Sequence, residues 1–470
     1  MAAVPPWSVV SARERCRRVA SVRSFVTQRM ARFVQLASND QRTNPFETIT
    51  AELLPLCESL RFLGRTGPKV LKPRVCGLAG RPVWLWGVRS VVRRDPLGTV
   101  LIIGTWNYPI FLVGTQVAQA LAAGNRVLVK PAEGCETTTA ELLRCFHDAG
   151  IPTDWLKQLD SPAIEAVKAI ESGVDLVILT GSAATGRRVL EQAAATITPT
   201  IMELSGCDAM IVLPSADVSR VVDAIDFSIH LNGAATCIGP RRLIVENSPK
   251  TRPWLEDLLT QIETRFRRRD LVIHRSARDN VAEAVEGAIS SGAVDRVGLF
   301  DANRVRTTGQ MNAVLLDGVA ADAEIASADL FAPILSVIRV DDISNAIGIV
   351  NGCRYRLATS IFGSDRDASV MARQLATGSI TINDVVFPTA DPRVPFGGRG
   401  ESGFGVTRGV EGLLAMTVPV TVSRRTSRFA PHLRPQDQFD LARMTGLMQC
   451  SHAGSVKSRI AGLKQLIWPQ

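Results

Sequence analysis

Thr99-Val-Leu-Ile-Ile103, Gly104-Thr-Trp-Asn-Tyr-Pro109, Val113 to Ala123 and Arg126-Val-Leu-Val-Lys130 follow one another closely, and their reading decides the fold. The first is an unbroken apolar run, as in a strand buried on both faces of a parallel sheet. The second is a turn. The third reads as a helix that stops at Gly124-Asn125. The fourth is another strand, ended by Pro131. Strand, helix and strand at this spacing make a βαβ unit, the crossover that parallel strands require.

The alternation continues downstream. Thr138 to His147 is helical, Leu176-Val-Ile-Leu179 is a strand, and Gly181-Ser-Ala-Ala-Thr-Gly186 opens a helix over Arg187–Thr196. Strands follow at 209–213, 242–246, 313–316, 334–340 and 379–382. This predicts an α/β protein with a doubly wound parallel sheet and a second α/β unit. Upstream, residues 12–65 read as two helical segments broken near Asn39-Asp40 and Asn44-Pro45. Val83-Trp-Leu-Trp-Gly-Val88 with Val91-Val92 reads as a β-hairpin or exposed strand pair, and Thr417 to Val422 as a strand. The tail, 426–470, is basic and polar, with periodicity only over 455–467.

Composition narrows the function classes. With 46% apolar and 21% charged residues the chain is an ordinary globular sequence. The net charge of +9 is spread out, and only 2 Tyr and 16 Phe are available for stacking, which argues against nucleic-acid binding. The 9 cysteines include no Cys-x-x-Cys pair, and the 5 histidines are scattered. That disfavours a disulfide framework or a metal site and favours a reducing, cytoplasmic setting. No apolar run reaches the roughly 18 residues of a membrane span. Residues 1–39 hold seven arginines and one acid, Glu14, a composition shared with transit peptides. Val19, Val22, Phe25, Val26 and Met30 recur there at helical spacing, and a first helix is the favoured reading.

Four places carry chemistry. Cys237 sits among small residues in Asn232 to Arg241, thirty-four positions after Glu203. A lone cysteine is more often a buried small residue than a nucleophile. A carboxylate near it would suit covalent catalysis. Gly181-Ser182 through Gly186, at a helix start, favours a phosphate or is a plain tight turn. Lys130-Pro-Ala-Glu133 ends a strand, where it can hold ribose hydroxyls or be merely charged. Asn107 offers a neutral donor to an oxyanion or caps its turn.

In this order the segments resemble the aldehyde dehydrogenase superfamily. The matches are Gly104 to Pro109, Ala122-Ala-Gly-Asn125, Lys130 to Glu133, Thr180-Gly-Ser182, Glu203-Leu-Ser-Gly206, Cys237, Leu330-Phe-Ala-Pro333, Pro395-Phe-Gly-Gly398 and Ser402-Gly403. The resemblance covers roughly residues 12–425 and looks nearest the branch that handles fatty and aromatic aldehydes. It implies oxidation of an aldehyde to a carboxylate with NAD, NADP being possible. It also implies a cofactor domain (1–206), a catalytic domain (207–384), a return through 385–425, and a small β oligomerisation arm drawing on 81–98 and 416–424, in a homodimer or homotetramer. Cys237 would be the nucleophile, Glu203 the general base and Asn107 the oxyanion donor. Trp106, Lys130, Glu133, Gly181, Ser182, Gly186, Asp329 and Phe331 would hold the cofactor.

The chain departs from the family pattern at Ala234-Ala235 (usually Gly-Gln), at Ser205 (usually Gly), at Asp329 (usually Glu) and at Ala332 (usually Gly). Asp329 is one methylene short for a nicotinamide ribose. These changes raise two alternatives: a weakly active or inactive relative serving as a binding or structural protein, and an acylating reductase. Glu203 speaks against the second, since hydrolysis is the task of that carboxylate.

Overall fold

The computed structural model describes residues 7–428 and 430–469. These divide into a larger compact unit, up to 72 and over 94–420, and a smaller one, 73–93 and 421 onward.

In the larger unit one sheet runs Gly403–Phe404, Thr200–Leu204, Leu176–Gly181, Thr99–Ile103, Arg126–Lys130, Leu156–Gln158. All pairings are parallel except that of Gly403–Phe404. Numbered along the chain, the five parallel strands stand in the order 3-2-1-4-5. The winding therefore reverses between Thr99–Ile103 and Leu176–Gly181, the switch point where open α/β sheets bind ligands. The second sheet runs Val294–Asp295, Val314–Asp317, Ile334–Val340, Pro240–Glu246, Asp208–Val212, Ala358–Phe362, Ser379–Ile382. Only its first pairing is antiparallel.

The helix Phe111–Ala123 is buried on nearly every face, which suits its apolar composition. Gly124, at φ 103, closes it in the left-handed conformation. Arg15 then donates to the free carbonyls of Ala122 and Ala123 at 3.0 and 3.1 Å. One of the N-terminal arginines is thus a helix cap, and Val19, Val22 and Val26 beside it are core.

Three expectations need correction. The helix after Gly181 begins at Ala183, not Arg187, with Ser182 as its N-cap accepting from Thr185 N. Gly186 lies inside it because a Cβ there would stand only 2.8 Å from Leu204 Cδ1. Val83–Leu85 is a short 3-10 turn rather than a strand, held between Pro82 and Gly87, the latter at φ 76. The strand is Val88–Pro96, between Arg74–Cys76 and Thr417–Arg425 in a three-stranded sheet. In the tail, a helix Asp440–His452 precedes the foreseen one, Val456–Ile467.

Candidate active site

Four strand ends of the six-stranded sheet deliver side chains to one edge. Asn107 follows Thr99–Ile103, Lys130 ends its strand with Glu133 just beyond, Gly181 and Ser182 follow Leu176, and Glu203 ends Thr200–Leu204. These residues, with Trp106, Cys237, Asp329 and Phe331, line a cavity of about 630 Å³. Ten of the eleven site residues foreseen in the sequence therefore meet there. Gly186 does not; its place is the contact with Leu204.

Cys237 stands on a tight turn between the helix Val218–His230 and the strand Pro240–Glu246. The turn is built from three consecutive left-handed residues, Asn232, Gly233 and Ala234, at φ 55, 60 and 63. Such a run is unfavourable for L-residues, and buried groups hold it. Arg241 donates to the carbonyl of Ala234 at 2.7 Å. Asn232 donates to the carbonyl of Asn107 at 2.9 Å and accepts from Arg42 at 2.8 Å. Arg42 also donates to the Asn107 carbonyl and pairs with Glu52, both side chains being at most 5% exposed. Glu52 in turn accepts from the backbone of Ile110 and Phe111, capping the central helix. One buried charge pair thereby fixes the turns of Asn107 and Cys237 together. Asn107 Nδ2 donates to the Ala235 carbonyl at 2.8 Å, and its Oδ1 accepts from Thr105 and from Tyr108 N. An amide carries two donors, so one N–H is left for a developing oxyanion.

Burial pushes the Cys237 thiol up to about 12, with Asp208 and Glu203 adding to it and Arg408 opposing. Burial likewise pushes the Glu203 carboxyl upward, opposed by Arg408 and by hydrogen bonds from Thr407 and Gln116. A raised carboxyl suits a general base working near neutrality. Arg408 is buried, with φ 60, and its guanidinium lies 4.0 Å from the Phe396 ring and 5.4 Å from that of Phe111. Its backbone N–H donates to Gln119 and its Nη1 to the Thr389 carbonyl. Sequence reasoning missed Arg42, Glu52, Gln116, Thr407 and Arg408. None carries a local signal, since each acts on residues 58 or more positions away.

A dinucleotide fits the rest of the cavity. Ser182 heads a 13-residue helix whose first N–H groups point from the sheet edge. Lys130 is desolvated, which pushes its ammonium down, while nearby Glu133 pushes it up. Trp106 stacks on His274 at 4.6 Å and meets Phe331 edge-on at 5.8 Å, an aromatic wall of which His274 was unforeseen. Two departures from the family pattern also meet. Burial pushes the Asp329 carboxyl upward, and the Ser205 side chain is among the groups that pull it back down. The residue that lost a methylene thus feels one that gained a hydroxyl. Ala332 lies outside the left-handed region, so no glycine is required there.

A profile described as the aldehyde dehydrogenase family matches residues 1–422. The chain is 29% identical over 432 residues to a 4,4'-diapolycopene aldehyde oxidase of Methylomonas, covering 90% of this chain and 79% of that protein. It is 31% identical over 382 residues to an NADP-dependent succinate-semialdehyde dehydrogenase of Deinococcus radiodurans, covering 76% and 75%. A solved aldehyde dehydrogenase of Mycobacterium tuberculosis in complex with NAD+ superimposes with a TM-score of 0.80 at 26% identity, covering 89% and 86%.

Proposed function

The chain belongs to the aldehyde dehydrogenase family and oxidises an aldehyde to a carboxylic acid with NAD(P)+; from that premise we propose how its own residues divide the work. Cys237 is the nucleophile. Its sulfur attacks the carbonyl carbon while its proton passes to a cavity water and out to solvent, giving a thiohemiacetal oxyanion. The free Nδ2 proton of Asn107 and the Cys237 backbone N–H hold the oxygen. NAD(P)+, cradled by Lys130, Glu133, Gly181, Ser182, Trp106, Asp329 and Phe331, supplies the two-electron acceptor. Glu203 then takes a proton from water as it attacks the thioester, and carboxylic acid and free thiol result. Thr407, Gln116 and Arg408 hold Glu203 ready for that step.

The observation that carries this reading is the meeting of Cys237, Glu203 and Asn107 on one cavity wall, with Asn107 tied to the cysteine turn through the Ala235 carbonyl. Cys237 also packs with Ile238, Leu357 and Phe396. That apolar side fits the carbon chain of a fatty, polyene or aromatic aldehyde, and one relative is named for 4,4'-diapolycopene aldehyde. NAD is the preferred cofactor in this reading, because Glu133 on the cavity wall repels a 2′-phosphate. The six-stranded sheet serves as cofactor domain and the seven-stranded sheet as catalytic domain. The three-stranded sheet forms the arm of a homo-oligomer, and the enzyme works in the cytoplasm.

The test is a rapid-mixing experiment on Glu203→Gln with NAD+ and a medium-chain aldehyde. The expected trace is a burst of about one NADH per subunit followed by arrest. A steady-state rate equal to wild type removes Glu203 from the mechanism.

A further inference from the structure

Charge is divided unevenly along this chain. The smaller unit holds twelve Lys and Arg against two Asp and Glu, a net +10, where all 470 residues together carry +9. Its last part, the helices Asp440–His452 and Val456–Ile467, lies beyond residues 1–422 matched by the family.

These helices form a hairpin that meets through glycine. A Cβ on Gly446 would stand 2.6 Å from the Gly462 carbonyl oxygen, and one on Gly462 would stand 2.6 Å from Cys450 N. Because the close faces are small, the large apolar side chains remain outside. Leu441, Met444 and Met448, at i, i+3 and i+7, are 80%, 54% and 64% exposed. Val456, Ile460, Leu463 and Ile467, at i, i+4, i+7 and i+11, are all more than 45% exposed, and Trp468 follows at 70%. Each helix thus shows a continuous apolar stripe at helical spacing with nothing on it. Among the described residues, Asp437 and Asp440 are paired with Arg434 and Arg443, while no carboxylate pairs with Lys457, Arg459 or Lys464. The chain entering the hairpin is pinned by Thr426 to the carbonyl of Gly87, at the end of a turn that exposes Trp84 and Trp86.

We propose that the hairpin of residues 440–467 docks this enzyme on an anionic phospholipid surface. Apolar stripes with Lys457, Arg459 and Lys464 flanking that of the second helix, and tryptophan at the boundary, are what an interfacial hairpin presents to acyl chains and headgroups. Each basic group near a negatively charged leaflet adds about 1 kcal/mol of attraction, equivalent to about fivefold in partitioning. A second copy of the chain docked hairpin to hairpin is the less suitable occupant, because it would set Lys457, Arg459 and Lys464, which no carboxylate pairs among the described residues, against their like.

The full-length protein, with its activity on a water-soluble aldehyde as the folding control, is sedimented with vesicles of phosphatidylcholine alone and with vesicles containing phosphatidylglycerol. The expected result is co-sedimentation with the anionic vesicles only, reversed near 1 M salt, where the Debye length falls to about 3 Å. The variant K457Q/R459Q/K464Q should partition roughly a hundredfold less. I460E/L463E should not bind. Both should oxidise the soluble aldehyde at the wild-type rate, since neither touches the cavity. Trp468 emission in the wild type should be quenched by brominated acyl chains. Equal binding to both vesicle types overturns the proposal, as does binding to neither. So does an I460E/L463E variant that loses an oligomeric state in gel filtration yet binds vesicles like the wild type. The vesicle readout is independent of the roles given to Cys237 and Glu203, so either conclusion can fail without the other.

Discussion

The two sides of the cavity are held in different ways. On the cofactor side the charged and capping side chains are placed by the strands that end at them, Lys130 and Glu133 by Arg126–Lys130 and Ser182 by Leu176–Gly181, while Asp329 and Phe331 follow the 3-10 turn Glu324–Ser327. On the catalytic side the Cys237 turn bends through three left-handed residues and rests on charges brought from far along the chain, Arg42 and Glu52 among them. A site assembled from strand ends tolerates local change. A strained turn braced by buried charge does not. This difference predicts that substitutions on the first side weaken cofactor binding, while those on the second also unfold the protein.

The largest effect should come from breaking the brace. Glu52→Ala leaves the Arg42 guanidinium buried without its carboxylate and uncaps the central helix. Removing one partner of a buried pair typically costs about 3–5 kcal/mol, so urea unfolding should shift by that amount and turnover should be lost with it. Replacing both, as Arg42→Met with Glu52→Leu, should recover part of the stability and none of the activity, because Asn107 and Asn232 lose their common donor. A shift under about 1 kcal/mol for Glu52→Ala would place the site's rigidity elsewhere.

Arg408 comes next, and its effect is best read against pH. Its charge lowers both the Glu203 carboxyl and the Cys237 thiol against the upward push of burial. Arg408→Leu removes that opposition, so both groups rise further. A base loses activity as pH falls through its pKa; the acid limb of the kcat profile should therefore move to higher pH, with kcat near neutrality down about tenfold for a one-unit shift. In the free wild type, with the thiol near 12, alkylation of Cys237 should climb about tenfold per pH unit between 7 and 10. It should be slower in the variant at every pH, and Arg408→Lys should restore most of both. An unmoved acid limb would leave Arg408 as packing between Phe396 and Phe111.

A smaller effect tests the cofactor side. Ser205→Gly restores the usual residue but removes the hydroxyl that pulls the Asp329 carboxyl down. The expected outcome is a rise of about fivefold in KM for NAD+, as for the loss of one hydrogen bond of about 1 kcal/mol, with melting temperature nearly unchanged. If KM falls instead, Ser205 was crowding the ribose and the pairing with Asp329 is incidental.

What was legible in the sequence follows the same division. Most parallel strands could be read as short apolar runs, Thr99–Ile103 closed by Gly104 and Arg126–Lys130 by Pro131, and with them Lys130, Glu133 and Ser182; the short Leu156–Gln158 and the mixed Thr200–Leu204 and Ala358–Phe362 were missed, and Asp329 and Phe331 were legible only through the family resemblance. The start at Ala183 was misplaced because Gly186 looked like a turn; only the contact with Leu204 shows why a glycine sits inside a helix. Val83-Trp-Leu-Trp86 has strand-forming side chains, yet Pro82 and Gly87 fold it into a 3-10 turn. Arg42, Glu52 and Arg408 left no trace because a buried ion in the fold looks like any surface charge in the chain. The helix at 440–452 was missed because its apolar stripe faces outward and is too short to stand out.

The smallest predicted effect bears on the strain itself. Ala234 holds φ 63 where the family usually places glycine. The left-handed conformation costs an L-residue roughly 1–2 kcal/mol, whereas glycine adopts it freely at an entropic disadvantage of about 0.4–1 kcal/mol in the unfolded chain. These terms oppose each other, so Ala234→Gly should stabilise by about 0.5 kcal/mol, the difference of those two costs. The readout is the denaturant midpoint, with kcat beside it. If the midpoint rises and kcat holds, the turn carries strain that Arg42, Asn232 and Arg241 merely contain. If the midpoint rises while kcat falls, the stiffness of alanine at 234 is what keeps Cys237 aimed at the Asn107 donor, and the departure from glycine is part of how this site is built.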